Sequence, residues 1–257
     1  MPAATLNRKV GRNEGGSCWC LAVMPSGDRL LCGLSGGKIR MESFAAATAA
    51  PLRTFAEHTS QVNAVVAMSA TTFASASSDQ TVRLWDAERS ASTATLSGHG
   101  GAVYDVVQLD ERTLASASWD KTVAVWDTRT ASRTASVAVD AYANRLAPLR
   151  GGSTVAVGLG FGAIELWELR ASRKLGELRG HTDGVYGLTQ LHDGRLASAS
   201  GDKTVRIWDV AAQRCVGVIT APNSLYCCCV TADGRLAVGC DDGNAYVYNV
   251  AAAMTSE

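Results

Sequence analysis

The 257 residues carry 24 Lys and Arg against 24 Asp and Glu, and 47% of positions are hydrophobic while 19% are charged. That composition supports a sizeable core and excludes the disordered class, and the zero net charge removes the long-range attraction to phosphate on which nucleic-acid and anionic-membrane binders rely. With 25 Gly and only 5 Pro, the chain favours many short strands joined by tight turns.

In chain order, the first predicted element is a short strand over Leu6–Val10. A first unit spans about 11–55, in which Leu30 to Phe44 aligns with Phe73 onwards, but Glu42 and Ser43 stand where later units have Trp and Asp. The insertion Ala45–Pro51 lengthens the connection that follows. The second unit, about 56–96, reads Glu57-His58, Val62, Ser75, Ser78-Asp79-Gln80-Thr81 and Trp85-Asp86. Alternation and turn chemistry place its strands at Val62–Met68, Thr72–Ser77, Thr81–Asp86 and Ser92–Leu96. The third unit, about 97–137, repeats the pattern as Gly98-His99, Val103, Ser116, Trp119-Asp120-Lys121-Thr122 and Trp126-Asp127. The fourth, about 138–178, keeps Trp167 but has Asp140 at the His position and Glu168 for Asp. The fifth, about 179–219, is complete again: Gly180-His181, Val185, Ser198, Asp202-Lys203-Thr204 and Trp208-Asp209. In the sixth, about 220–249, Ala221 replaces His, Asp242 keeps the turn carboxylate and Tyr248-Asn249 replaces Trp-Asp. Residues 251–257 read as a disordered tail.

Trp85, Trp126, Trp167 and Trp208 are each 41 residues apart, and Tyr248 follows 40 later. A period of this length fits one four-stranded propeller blade. The combined Gly-His, Ser-x-Asp-x-Thr and Trp-Asp signals resemble the WD-repeat (WD40) family over nearly the whole chain. The expected fold is therefore all-β: a single WD40-type β-propeller over residues 1–250, with six four-stranded blades. An open ring leaves strand edges and a bare apolar face. Because the sixth unit lacks a fourth strand, the strand over 6–10 is expected to pair on the outside of the last blade and close the ring.

His58, His99 and His181 each have a Ser 17 residues later (Ser75, Ser116, Ser198), an Asp 21 later (Asp79, Asp120, Asp202) and a Trp 27 later (Trp85, Trp126, Trp208). Ser, His and Asp together suggest nucleophilic catalysis, but a triad is needed once and this set occurs three times in equivalent places. The resemblance implies instead that these side chains hydrogen-bond in a chain inside each blade and satisfy one another's buried polar groups. Gly33 to Gly37 and Gly158 to Gly162 contain no Gly-Lys-Ser/Thr and open no helix, so they carry no nucleotide fingerprint. The eight cysteines lack the Cys-x-x-Cys spacing of structural zinc sites and read as buried reduced thiols. No metal, cofactor or catalytic residue is assigned.

The resemblance also implies a binding face, formed by the residues three and five after each His position and one before each turn Asp. Those positions collect Trp19, Asn63, Tyr104, Trp119, Arg145, Tyr186, Tyr226 and Asp241. Aromatic and Arg side chains are the usual anchors of protein interfaces. A non-catalytic scaffold or adaptor that binds a protein or peptide is the reading these positions support. A propeller enzyme would need convergent carboxylates, His or metal ligands there, and a phosphoinositide or nucleic-acid binder would need basic loops. The stretch Ala221-Pro222-Asn223-Ser224-Leu225-Tyr226-Cys227-Cys228-Cys229-Val230 is similar to the segment ending the propeller of the phospholipase A2-activating protein family, which implies ubiquitin as a partner. No span reaches the ~20 apolar residues needed to cross a bilayer. The N-terminus has no apolar signal core. The expected setting is the cytoplasm, with the nucleus as the other compartment, and the expected state is a monomer or one member of a complex.

Overall fold

The computed structural model describes residues 16–44, 51–150 and 154–250. These form six antiparallel sheets in series, each a meander in which successive strands pair. Blade one holds β1 (Cys18–Val23), β2 (Arg29–Leu34), β3 (Ile39–Ser43) and β4 (Arg53–Phe55). Blade two holds β5 (Val62–Ala67), β6 (Thr72–Ser77), β7 (Val82–Asp86) and β8 (Ser92–Leu96), within a residue of the strands read from its alternation. Blade three comprises β9 (Val103–Asp110), β10 (Thr113–Ser118), β11 (Thr122–Asp127) and β12 (Ser132–Ala138). Blade four comprises β13 (Ala143–Pro148), β14 (Thr154–Leu159), β15 (Ile164–Glu168) and β16 (Arg173–Leu178), with a single 3-10 turn at Leu169–Ala171. Blade five comprises β17 (Val185–Gln190), β18 (Leu196–Ser200), β19 (Thr204–Asp209) and β20 (Arg214–Thr220). Blade six has β21 (Leu225–Val230), β22 (Leu236–Cys240) and β23 (Ala245–Tyr248). The fold is thus an all-β, six-bladed propeller. The strand expected over Leu6–Val10 and the tail over 251–257 lie outside the described residues.

Small residues on one blade and large ones on the next explain why the blades stack. The second strand of blade two presents Ala74 and Ala76, and Trp126 and Leu114 of blade three pack on that face. Ala115 and Ala117 of blade three receive Trp167 and Val155 of blade four in the same way. Trp208 and Leu196 then lie on Ala156, Ile164 and Leu166 of blade four, and Leu236 and Leu225 lie on Ala197 and Ile207 of blade five. Blades one and two join through Leu31, Ile39, Met41 and Phe55 against Val62, Phe73 and Trp85. A Cβ-sized strand surface lets a bulky neighbour approach to interior packing density, and each fully buried Leu, Val or Phe contributes about 1.5–3 kcal/mol.

Five such clusters join six blades. Among the described residues none joins blade six to blade one. Leu21, Val23 and Phe44 on blade one, and Val247 on blade six, are exposed. Of the eight free cysteines, Cys32 and Cys240 are buried as expected, but Cys18, Cys227 and Cys229 are exposed. They lie on β1 and β21, the inner strands of the end blades, so the reading of all eight as buried thiols is corrected for these three.

Candidate functional site

Three polar networks tie the complete blades together. In blade two, Trp85 donates its Nε1–H to Ser75 Oγ at 2.7 Å, Ser75 Oγ lies 2.7 Å from His58 Nε2, and His58 Nδ1 lies 2.7 Å from Asp79 Oδ2. Asp79 also accepts from the Thr59 N–H and from the Thr81 N–H and hydroxyl. Blade three repeats the chain through Trp126, Ser116, His99 and Asp120, and blade five through Trp208, Ser198, His181 and Asp202. Burial holds the His99 and His181 imidazoles below their ordinary pKa, against the raising effect of the facing carboxylates. The neutral ring then donates from Nδ1 to Asp and accepts at Nε2 from the Ser hydroxyl. Burial by itself raises the Asp120 and Asp202 carboxyls, but hydrogen bonds from Thr122 and the Gly100 N–H, and from Thr204 and His181, outweigh it and hold both low. Ser75, Ser116 and Ser198 are fully buried. No substrate carbonyl can reach their oxygens.

Blade four solves the same problem with other residues, which sequence reasoning missed. Trp167 Nε1–H donates to Glu165 Oε2 at 2.6 Å, while Glu165 Oε1 accepts from Lys174 Nζ at 2.6 Å. Lys174 reaches Asp140 at 3.0 Å. The Asp140 N–H points to Glu165, as the Thr59, Gly100 and Thr182 N–H groups point to their turn Asp. Asp140 therefore follows the His position, and Val139 occupies it.

That one-residue offset changes which residues fall at the expected face positions. In every blade the first strand slips register against the second near its start, between Cys18 and Cys20, Val62 and Ala64, Val103 and Asp105, Ala143 and Arg145, Val185 and Gly187, and Leu225 and Cys227. A bulge re-aims the extra side chain out of the sheet. The bulged residues are Trp19, Asn63, Tyr104, Asn144, Tyr186 and Tyr226. Arg145, expected at this position, is the next residue along. It donates from Nε to Tyr186 O at 2.7 Å and lies 3.7 Å from the buried Asp105 carboxylate. Asn63, expected on the face, is buried, and its amide bonds Ser78 Oγ and Val103 O.

The corrected register brings Tyr142 to the position before β13, where its carbonyl accepts from the Gly160 N–H as Ala102 O accepts from Trp119 N–H. The outcome is a row of rings. Tyr104 and Trp119 stack at 4.2 Å and 7°, Trp119 and Tyr142 follow at 5.6 Å, and Tyr142 and Phe161 at 6.2 Å. Trp119 Nε1–H is anchored on Asn144 Oδ1 at 3.0 Å, and Lys121 Nζ lies 5.9 Å from the Tyr142 ring centre. Trp119 and Tyr142 are exposed, and Phe161, at the turn position of Asp79, is 73% exposed. Phe161 could have been found from sequence, as the one aromatic residue at a turn-acid position. Tyr186 and Tyr226 pair separately at 5.7 Å, with the exposed Asp241 beside Tyr226. Trp19 is exposed on β1.

Comparison with known proteins agrees with this architecture. The profile of the family described as "WD domain, G-beta repeat" matches residues 49–86, 90–127, 172–209 and 213–249. The ubiquitin homeostasis protein lub1 of Schizosaccharomyces pombe is 36% identical over 91 residues, 35% of this chain and 12% of that protein. WD repeat and SOCS box-containing protein 1 of Xenopus tropicalis is 35% identical over 95 residues, 35% of this chain and 22% of that protein. The chain thus spans a small part of these relatives. The crystal structure of the WD40 β-propeller domain of Doa1 superposes with a TM-score of 0.82 at 23% identity, covering 90% of this chain and 78% of that one.

Proposed function

The chain belongs to the WD-repeat family (WD domain, G-beta repeat), and from that premise we propose that it is a non-catalytic interaction module that docks a protein on the bulge face, with ubiquitin as the named candidate. The observation that carries the reading is the continuous row Tyr104, Trp119, Tyr142 and Phe161. Four rings held by strand ends and tight turns present a large contact area at small entropy cost, which is what binding hot spots require. Similarity to a protein named for ubiquitin homeostasis supports the choice of ubiquitin. The burial of every network Ser supports a non-catalytic role. A phosphate-rich partner is disfavoured, because Arg145 on this side is engaged by Tyr186 O and Asp105.

Titration of isotope-labelled ubiquitin with the protein tests this directly. Saturable, residue-specific shifts are expected, and Trp119→Ala/Tyr142→Ala/Phe161→Ala should abolish them while leaving the melting temperature nearly unchanged. The absence of shifts up to about millimolar protein removes ubiquitin. Shifts that survive the triple variant move the site away from the ladder.

A further inference from the structure

We propose that the bulge face carries, between blades five and six, a seat for one arginine side chain of the docked protein, formed by the Tyr186 and Tyr226 rings and the Asp183 and Asp241 carboxylates. The inference rests on the docking reading for the source of that arginine. Its chemistry follows from equivalent positions in blades three and five. In blade three the residue two after the network His is Gly101, and Trp119, just before the turn Asp, covers the Tyr104 ring at 4.2 Å and 7°. Blade five exchanges the two kinds of residue. Asp183 stands where Gly101 does, and Gly201 stands where Trp119 does. Tyr186, the counterpart of Tyr104, thus has no indole of its own blade against it. A Cβ at Gly201 would lie 2.6 Å from Asp183 Oδ2 and 3.3 Å from Tyr186 Cε2, so the glycine makes room for a carboxylate at the edge of the ring.

Tyr226 of blade six faces Tyr186 across 5.7 Å at 50°, an open angle and not a closed stack. Burial raises the Tyr226 phenol, and the charge of Asp241, its hydrogen bond and the charge of Asp183 raise it further. Burial and the charge of Asp183 raise Tyr186 in the same way. Both carboxylates therefore act on the ring pair. Asp183 Oδ1 accepts from the Gly184 N–H at 2.6 Å, which leaves Oδ2 over Gly201. Asp183 and Asp241 are exposed, and among the described residues neither takes part in an ion pair. Arg145, whose Nε donates to Tyr186 O, faces Asp105 instead. The ladder in blades three and four already has a cation, Lys121 beside Tyr142, whereas the Tyr186 and Tyr226 pair has acid in its place. Ring faces attract a cation, and carboxylates accept its hydrogen bonds. A planar guanidinium does both at once, stacking on a ring while its fork meets a carboxylate, and an ammonium is a strongly hydrated point charge that does not. The occupant is therefore an arginine.

The tyrosines provide the assay, since the chain has only six. Ring resonances of the full chain, labelled with carbon-13 at tyrosine, are followed during titration with N-acetyl-arginine N-methylamide, its lysine counterpart and its uncharged citrulline counterpart. The arginine probe should shift Tyr186 and Tyr226 saturably at about millimolar concentration, and the other two should bind at least about tenfold more weakly. Tyr246, which donates to Asp242 at 2.7 Å elsewhere on blade six, is the internal reference and should not move. Asp183→Asn/Asp241→Asn retains the oxygen that accepts from Gly184, so it should keep the melting temperature and weaken the arginine probe by about tenfold. Gly201→Ala should weaken it as well with both charges in place, because the new Cβ displaces Asp183 Oδ2. Equal shifts from citrulline, equal shifts at Tyr246, shifts that persist in the double Asn variant, or no saturation up to about 100 mM probe overturn the seat. Lysine binding as tightly as arginine overturns the assignment to a guanidinium. No ubiquitin enters the titration, and Trp119→Ala/Tyr142→Ala/Phe161→Ala should leave it unchanged, so failure of the ladder and failure of the seat are separate results.

Discussion

Replacing Ser198 with Ala is the sharpest probe of what holds a blade together. The substitution removes one oxygen and adds no bulk, yet that oxygen lies 2.7 Å from His181 Nε2 and 2.8 Å from Trp208 Nε1 in a fully buried setting. Two buried polar groups lose their partner at once. Each costs about 1–3 kcal/mol when left unsatisfied, and the two share one site, so the expected loss is about 2–4 kcal/mol. For a chain of this size that lowers the melting temperature by about 5–15 °C. Urea unfolding monitored by tryptophan fluorescence and by circular dichroism checks both the magnitude and the coincidence of the transitions. Trp208→Phe removes one of the orphaned donors, so the double variant should be less destabilised than the sum of the singles by about 1–2 kcal/mol. A loss below about 0.5 kcal/mol for Ser198→Ala, or strict additivity in the cycle, refutes the account of Ser198 as the shared acceptor and donor of the network.

Two further outcomes follow from the buried charges. The folded protein keeps His99 and His181 neutral by burial, while the unfolded chain takes up protons near the ordinary imidazole value of 6.5. The unfolded state therefore binds more protons as pH falls, and the melting temperature should decline below about pH 6.5. A second decline should occur through the ordinary carboxylate value of 3.8, where Asp120 and Asp202 lose the advantage of their lowered folded pKa. A melting temperature constant from pH 8 to 5 contradicts the neutral-imidazole assignment. In blade four, Glu165→Gln places an amide between Trp167 and Lys174 where a buried carboxylate accepted from both. It should cost about 1–3 kcal/mol in denaturant unfolding, discounted for the partial exposure of Lys174, and an unchanged midpoint contradicts the substitute network.

Much of the machinery is local in origin. The turn Asp is followed by a residue with φ near +70° even where that residue is Gln80, Lys121 or Lys203. The carboxylate that accepts from the next Thr stabilises this turn and also fixes the position of the His above it. The proposed docking role then falls to the residues that differ between blades.

The sequence by itself determined the blade count and the strands of the complete units, because these rest on short-range spacing and on turn chemistry that each unit repeats, while the three His-Ser-Asp-Trp networks were implied by the resemblance to the WD-repeat family. It misplaced the face in unit four for a physical reason. The hairpin from β13 to β14 is one residue longer than that from β5 to β6, and the link from Trp126 to Val139 is one shorter than that from Trp85 to His99, so the Trp spacing stays at 41 while the first strand shifts by one. Strand pairing, which only the folded sheet reveals, moved Arg145 off the bulge and brought Tyr142 into the ladder. Tertiary structure alone decided that Asn63 is buried, that Glu165 satisfies Trp167, and that Leu21 and Val247 stand exposed. Exposure belongs to a residue's neighbours in space. Leu21 and Val65 hold equivalent positions in their blades, and Leu21 is exposed while Val65 packs in the cluster between blades one and two.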